Sequence, residues 1–167
     1  MCKIWMMEKT LIIGYGNADR EDDGAAWHVL SGVALRLGRA VPNVPEDGFF
    51  PEDEDIDLWY VLQLAPEMAE DIARYKRVIF VDAHTGNIPH EILLQPVDDS
   101  PPSSSFTHHM TPAACLALTR SIYHQSPQAM LLSVRGYNFG FARTLSERTA
   151  ELVEHAVEMI WVMLGNA

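Results

Sequence analysis

Residues 11–24 read Leu11-Ile12-Ile13-Gly14-Tyr15-Gly16-Asn17-Ala18-Asp19-Arg20-Glu21-Asp22-Asp23-Gly24, an apolar run that passes through a glycine turn into a cluster of acids. Helical spacing then begins at Ala25. A short β-branched run that ends in glycine and opens into an amphipathic helix is the first strand-turn-helix of an α/β domain. Leu11, Ile12 and Ile13 are contiguous rather than alternating, which predicts a strand covered on both faces within a mostly parallel sheet. Ligands of such sheets gather beyond the carboxyl ends of the strands, so Asp22 and Asp23 stand where chemistry occurs.

Gly-x-Gly after a strand also begins a dinucleotide fingerprint. Here Asp19 occupies the position of the third glycine, and Asp19, Glu21, Asp22 and Asp23 crowd the helix entry. A phosphate would meet repulsion where backbone N–H groups should receive it. An acid at a helix entry can instead serve as a cap, a reading open for Asp22 and, less strongly, for Asp23.

Outward from this stretch, Lys9–Gly14 is the first strand, and Ala26, Val29, Leu30, Val33 and Leu37 give a helix over Ala25–Leu37. Within it His28 reads as a partly exposed helical histidine. Pro42, Pro45 and Pro51 make 41–57 a surface loop whose acids are solvated. Strands are expected at Leu58–Leu64, Arg77–Asp82, Glu91–Val97 near an edge, and Met130–Val134. Helices are expected from Pro66 to Arg74, from Pro112, and from Ser146 to Leu164. The run Val78-Ile79-Phe80-Val81 ends in Asp82, level with Asp23 if the first and third strands are parallel neighbours; Asp82 could also cap the turn that follows. The tract 98–105, rich in proline and serine, is low in complexity and leads into His108 and His109.

A chain of 167 residues that is 48% hydrophobic is long enough for one closed core, so residues 1–167 read as a single domain. Lys+Arg 12 against Asp+Glu 23 gives a net charge of -11, which disfavours nucleic acid and anionic membrane surfaces as partners. Two cysteines, Cys2 and Cys115, leave no disulfide framework, which suits a cytoplasmic location. The first residues lack the features of a signal peptide, and no apolar run is long enough to span a membrane.

Asp23, Asp82 and one histidine, His108 or His109, fall at strand ends or on the loops beyond them. Adjacent residues cannot both face one site, so one of the two histidines is expected to serve. Two carboxylates and an imidazole suit Ni²⁺, Zn²⁺ or Mn²⁺ with positions left open, and the same groups could act as acid and base in hydrolysis. No HExxH pair, GxSxG elbow or cysteine nucleophile is present.

Gly14-Tyr15-Gly16-Asn17, then Asp22-Asp23-Gly24, then a strand ending in Asp82-Ala83, then a histidine before a helix rich in Ala and Leu, resembles the hydrogenase maturation endopeptidases over most of the chain. The resemblance implies a phosphorylase/hydrolase-like three-layer sandwich, with about five strands in a mostly parallel twisted sheet and helices on both faces. It implies an endopeptidase, aspartic-type in classification, that trims the C-terminal tail from a nickel-loaded [NiFe] hydrogenase large-subunit precursor. By position, Asp23 and Asp82 would be its catalytic acids, and they and His108, with His109 as the alternative, its nickel contacts. The nickel would come with the substrate, leaving no tightly held metal of the protein's own, and the protein would act as a monomer. Two other readings stand beside it. One is a non-catalytic nickel-binding or chaperone module using the same three residues. The other is a peptidyl-tRNA hydrolase-like enzyme, whose need for a basic face a net charge of -11 does not meet.

Overall fold

The contiguous apolar runs predict a sheet buried on both faces, and the computed structural model, which describes residues 8–100 and 109–165, has that architecture. Five strands, β1 (Thr10–Tyr15), β2 (Ile56–Val61), β3 (Arg77–His84), β4 (Ile92–Pro96) and β5 (Gln128–Arg135), form one sheet in the order β2-β1-β3-β5-β4. All neighbours are parallel except β4, an edge strand that runs antiparallel to β5.

Alternate residues of each run feed two cores. Ile12, Ile79 and Val81 pack with α1 (Ala25–Arg36) and α4 (Glu147–Met163) on one face. Leu11, Ile13, Val78 and Phe80 pack with α2 (Met68–Ile72) and α3 (Pro112–Tyr123) on the other. The result is the expected three-layer sandwich. Thr111 and Ser146 cap α3 and α4, their side chains accepting from Ala114 N and Thr149 N. Among the described residues no helix is long and apolar enough to cross a membrane.

The differences from expectation have local causes. β3 does not end at Asp82: Ala83 and His84 continue to pair with Val134 and Arg135 because β5 itself runs on to Arg135. β2 begins at Ile56, two residues before the expected start, and ends at Val61. Asp57 is consequently not a solvated loop acid. It is 1% exposed and accepts from Glu52 N, Glu54 N and the Tyr75 hydroxyl. The second helix is shorter than its sequence pattern, Met68–Ile72, and a 3-10 turn, Glu21–Gly24, precedes α1.

Candidate functional site

From β1 the chain crosses to β2 on one side, then returns past β1 to β3 on the other. That reversal opens a crevice between the carboxyl ends of β1 and β3, the switch point at which doubly wound sheets hold their ligands. Gly14 pairs with Val81, the last register pair between the two strands. Tyr15 and Asp82 therefore stand side by side where the strands part.

The turn after β1 is built on Gly16. Its φ is +142°, and a Cβ there would lie 2.3 Å from the Asp23 carbonyl oxygen, so the fold of the turn excludes a side chain. The Tyr60 hydroxyl donates to Gly16 O at 2.5 Å, and Asn17 Oδ1 accepts from Asp19 N at 2.9 Å. This arrangement carries Asp23 back over the strand end, where its Oδ2 accepts from Asn17 N at 2.9 Å. Asp23 is partly exposed.

The two acids of the doublet have separate tasks. Asp22 is fully buried and accepts from Tyr137 N, Asn138 N and Ser146 N at 2.8, 2.9 and 2.7 Å, and from the Ser146 and Thr149 hydroxyls at 2.6 and 2.9 Å. Burial works to raise its pKa, but hydrogen bonds from Ser146, Asn138 and Tyr137 outweigh it and leave it below the ordinary carboxylate value. Asp22 is a cap after all, of α4 rather than of its own helix, and it ties the loop after β5 down onto the acidic turn.

Asp82 accepts from the Ser133 hydroxyl at 2.6 Å through Oδ1 and from the Tyr15 hydroxyl at 2.9 Å through Oδ2. Its pKa is raised, chiefly by burial; the two hydroxyls and nearby His84 oppose the shift, and the charge of Asp23 adds to it. The Asp23 charge is the smallest of these influences, and through it Asp82 lies within electrostatic range of Asp23. The two carboxylates differ in their partners: Asp82 is held by two hydroxyls, and Asp23 by one backbone N–H.

A cleft of about 650 Å³ opens from Tyr15 and Asp82 across Leu131 to Gln95, with Met110 and Ala113 as its far wall. A smaller one of about 220 Å³ lies against Gly16, Asn17 and Leu62. A third, of about 390 Å³, is lined by Arg39 at the end of α1 and Leu58 in β2 and contains neither acid of the pair.

Of the two histidine candidates, His108 lies outside the described residues and His109 is exposed just before α3. Among the described residues no three His, Cys, Asp or Glu side chains group so as to hold a metal ion. His28 is partly buried in α1, as its spacing predicts, and burial lowers its pKa. Cys115 is fully buried, its thiol pushed up to about 12, which removes it as a nucleophile. The sequence does not single out Tyr15 and Ser133: a tyrosine between two glycines and one serine in an apolar strand carry no chemical signature until the β1–β3–β5 register brings them to Asp82.

No family model and no curated protein matches the chain. Solved structures do. The hydrogenase maturating endopeptidase HybD from E. coli superposes with a TM-score of 0.68 at 16% identity, covering 93% of this chain and 91% of that one. The [NiFe] hydrogenase maturation protease HycI from Thermococcus kodakarensis KOD1 gives 0.63 at 21% identity, covering 95% and 94%. The hydrogenase 2 maturation peptidase from Thaumarchaeota archaeon SCGC_AB-539-E09 gives 0.62 at 19% identity, covering 96% and 100%. The chain has the fold of these proteins over most of its length.

Proposed function

We propose that this chain is a hydrogenase maturation endopeptidase that removes the C-terminal tail of a nickel-loaded [NiFe] hydrogenase large-subunit precursor, working as a monomer in the cytoplasm. The observation that carries the reading is the placement of two acids at the β1–β3 switch point, Asp23 folded back over the end of β1 and Asp82 on β3, where Asp82 opens on a cleft of about 650 Å³. The names of the three solved structures described above, each a maturation protease or peptidase, support the reaction class.

In this reading nickel belongs to the substrate. Asp23, Asp82 and a histidine before α3, His108 or else His109, recognise it while the precursor supplies its remaining ligands. Two carboxylates and one imidazole bind a bare ion weakly, so tight binding requires a metal already half-coordinated by the partner, which couples cleavage to correct loading. The attacking water is polarised by Asp23 or Asp82, or by the metal that the substrate brings.

The test is incubation of a nickel-loaded precursor with wild-type protein and with Asp23→Asn and Asp82→Asn variants, followed by mass measurement of the precursor. Loss of the tail with wild type and its retention with both variants supports the reading. Undiminished trimming by both variants overturns the site. A stable complex without cleavage by wild type means a nickel-binding or chaperone module instead.

A further inference from the structure

Beyond Asp82 the face of the sheet that carries it holds a second polar pair. His84 and Arg135 are register partners on β3 and β5, next in line after Asp82 and Ser133 on the same face. His84 is 6% exposed. Its Nδ1 accepts from Gly86 N at 3.2 Å, so Nε2 carries the ring proton. That proton has no acceptor among the described residues, and neither has the buried Nε–H of Arg135. Both side chains border Gly86, His84 through the Nδ1 that accepts its N–H and Arg135 through the end of its guanidinium: a Cβ on this glycine (φ +96°) would lie 2.4 Å from the guanidinium carbon, so the absence of a side chain lets the guanidinium lie there. The guanidinium also stacks at 4.7 Å on the ring of Tyr137, a residue 42% exposed, and so runs from the buried imidazole toward the surface.

Buried N–H groups left without acceptors are costly, about 1–3 kcal/mol each, and a pair of them beside a catalytic acid needs an explanation. With Nδ1 taken up by the Gly86 N–H, the other edge of the His84 ring presents a donor. What two buried donors on neighbouring strands and a fixed positive charge suit is an oxygen that turns anionic. We infer that His84 and Arg135 form the oxyanion site of the hydrolysis proposed above, on which this inference rests.

Water held by Asp23 attacks the scissile carbonyl carbon and gives its proton to the Asp23 carboxylate. The carbonyl π pair moves onto oxygen, which the His84 Nε2–H and the Arg135 guanidinium receive. When that pair returns, the C–N bond breaks, its electrons go to nitrogen, and the proton on Asp23 passes to the departing amine.

The experiment compares wild type, Asp82→Asn, His84→Phe and Arg135→Met on nickel-loaded precursor, with thermal unfolding of each variant as the check on folding. His84→Phe keeps a flat ring and loses the donor; Arg135→Met keeps most of the stem and loses the charge. Each is expected to lower kcat by about 10²–10³-fold with KM unchanged, the pattern of an interaction made only in the transition state. If His84→Phe does not fold, Arg135→Met, at a less buried position, decides. Full kcat in a folded variant, or a rise in KM with kcat unchanged, overturns the oxyanion site while leaving the proposed reaction intact. If wild type does not cleave, the proposed reaction fails and this inference with it.

Discussion

Tyr15 donates its hydroxyl to Asp82 at 2.9 Å just beyond the last rung between β1 and β3, so the residue inside the glycine turn holds the acid of the neighbouring strand. The hydroxyl of Ser133 holds the other oxygen from the far side. Hydrogen bonds to an ionised carboxylate favour the charged form, and here they work against burial. Tyr15→Phe, which removes one donor and keeps the ring, is therefore expected to push the Asp82 pKa further up. Titration of the Asp82 carboxyl carbon by NMR in the two proteins checks this; an unmoved midpoint would show that Tyr15 does not govern the acid.

Neighbouring Asp22 and Asp23 are expected to respond in opposite ways to substitution. Asp22→Ala leaves three backbone N–H groups and two hydroxyls without their shared acceptor in a buried place, a loss on the order of 3–5 kcal/mol. Asp23→Ala removes one hydrogen bond, from Asn17 N, at a partly exposed position and should cost about 1 kcal/mol or less. Urea denaturation midpoints measure both. Tail removal should disappear in Asp23→Ala although the protein stays folded.

Much of this is legible in the sequence because it rests on local pattern. Contiguous Leu11-Ile12-Ile13 and Val78-Ile79-Phe80-Val81 announce strands with two covered faces, and proline at 112 and serine at 146 mark helix starts. Asp23 and Asp82 are legible for the same reason, as acids that follow such strands. Long-range pairing is not local. That Ser133 and Tyr15 reach Asp82, that Asp22 caps a helix more than a hundred residues downstream, and that Asp57 is buried depend on strand order, which the pattern of apolar residues does not encode. His84 read as part of a turn because the apolar run stops at Val81; only its pairing with Arg135 makes it strand.

Gly16→Ala should damage the site through the backbone. The added Cβ meets the Asp23 carbonyl oxygen at 2.3 Å, and a φ of +142° is unfavourable to any L side chain. The turn must open to relieve the clash, which moves Asp23 from its place on Asn17 N. A loss on the order of 1–3 kcal/mol is expected from the strained conformation, together with loss of cleavage. Unfolding free energy and cleavage rate measured on the same sample check it, and an alanine variant with wild-type rate would show that the position of Asp23 does not depend on this glycine.

Asp22 and Asp82 should also give acid stability profiles of opposite slope. Asp22 has a folded-state pKa below its ordinary value of 3.8, so the folded protein binds fewer protons there than the unfolded chain. Its stabilising contribution is fully present above that ordinary value and is lost as pH falls through the folded one. Asp82 has a folded-state pKa above 3.8, so ionising it costs stability, a penalty that sets in above that value and is complete once pH has passed the folded one. Urea unfolding of wild type, Asp22→Asn and Asp82→Asn from about pH 3 to about pH 7 separates the two contributions. The deficit of Asp22→Asn relative to wild type should widen as pH rises from the acid end and then level off. Over the same rise Asp82→Asn should gain on wild type, because it no longer carries a charge that burial disfavours. A deficit of Asp22→Asn that shrinks with rising pH would contradict the network drawn around that residue, since five donors aimed at a carboxylate favour its charged form.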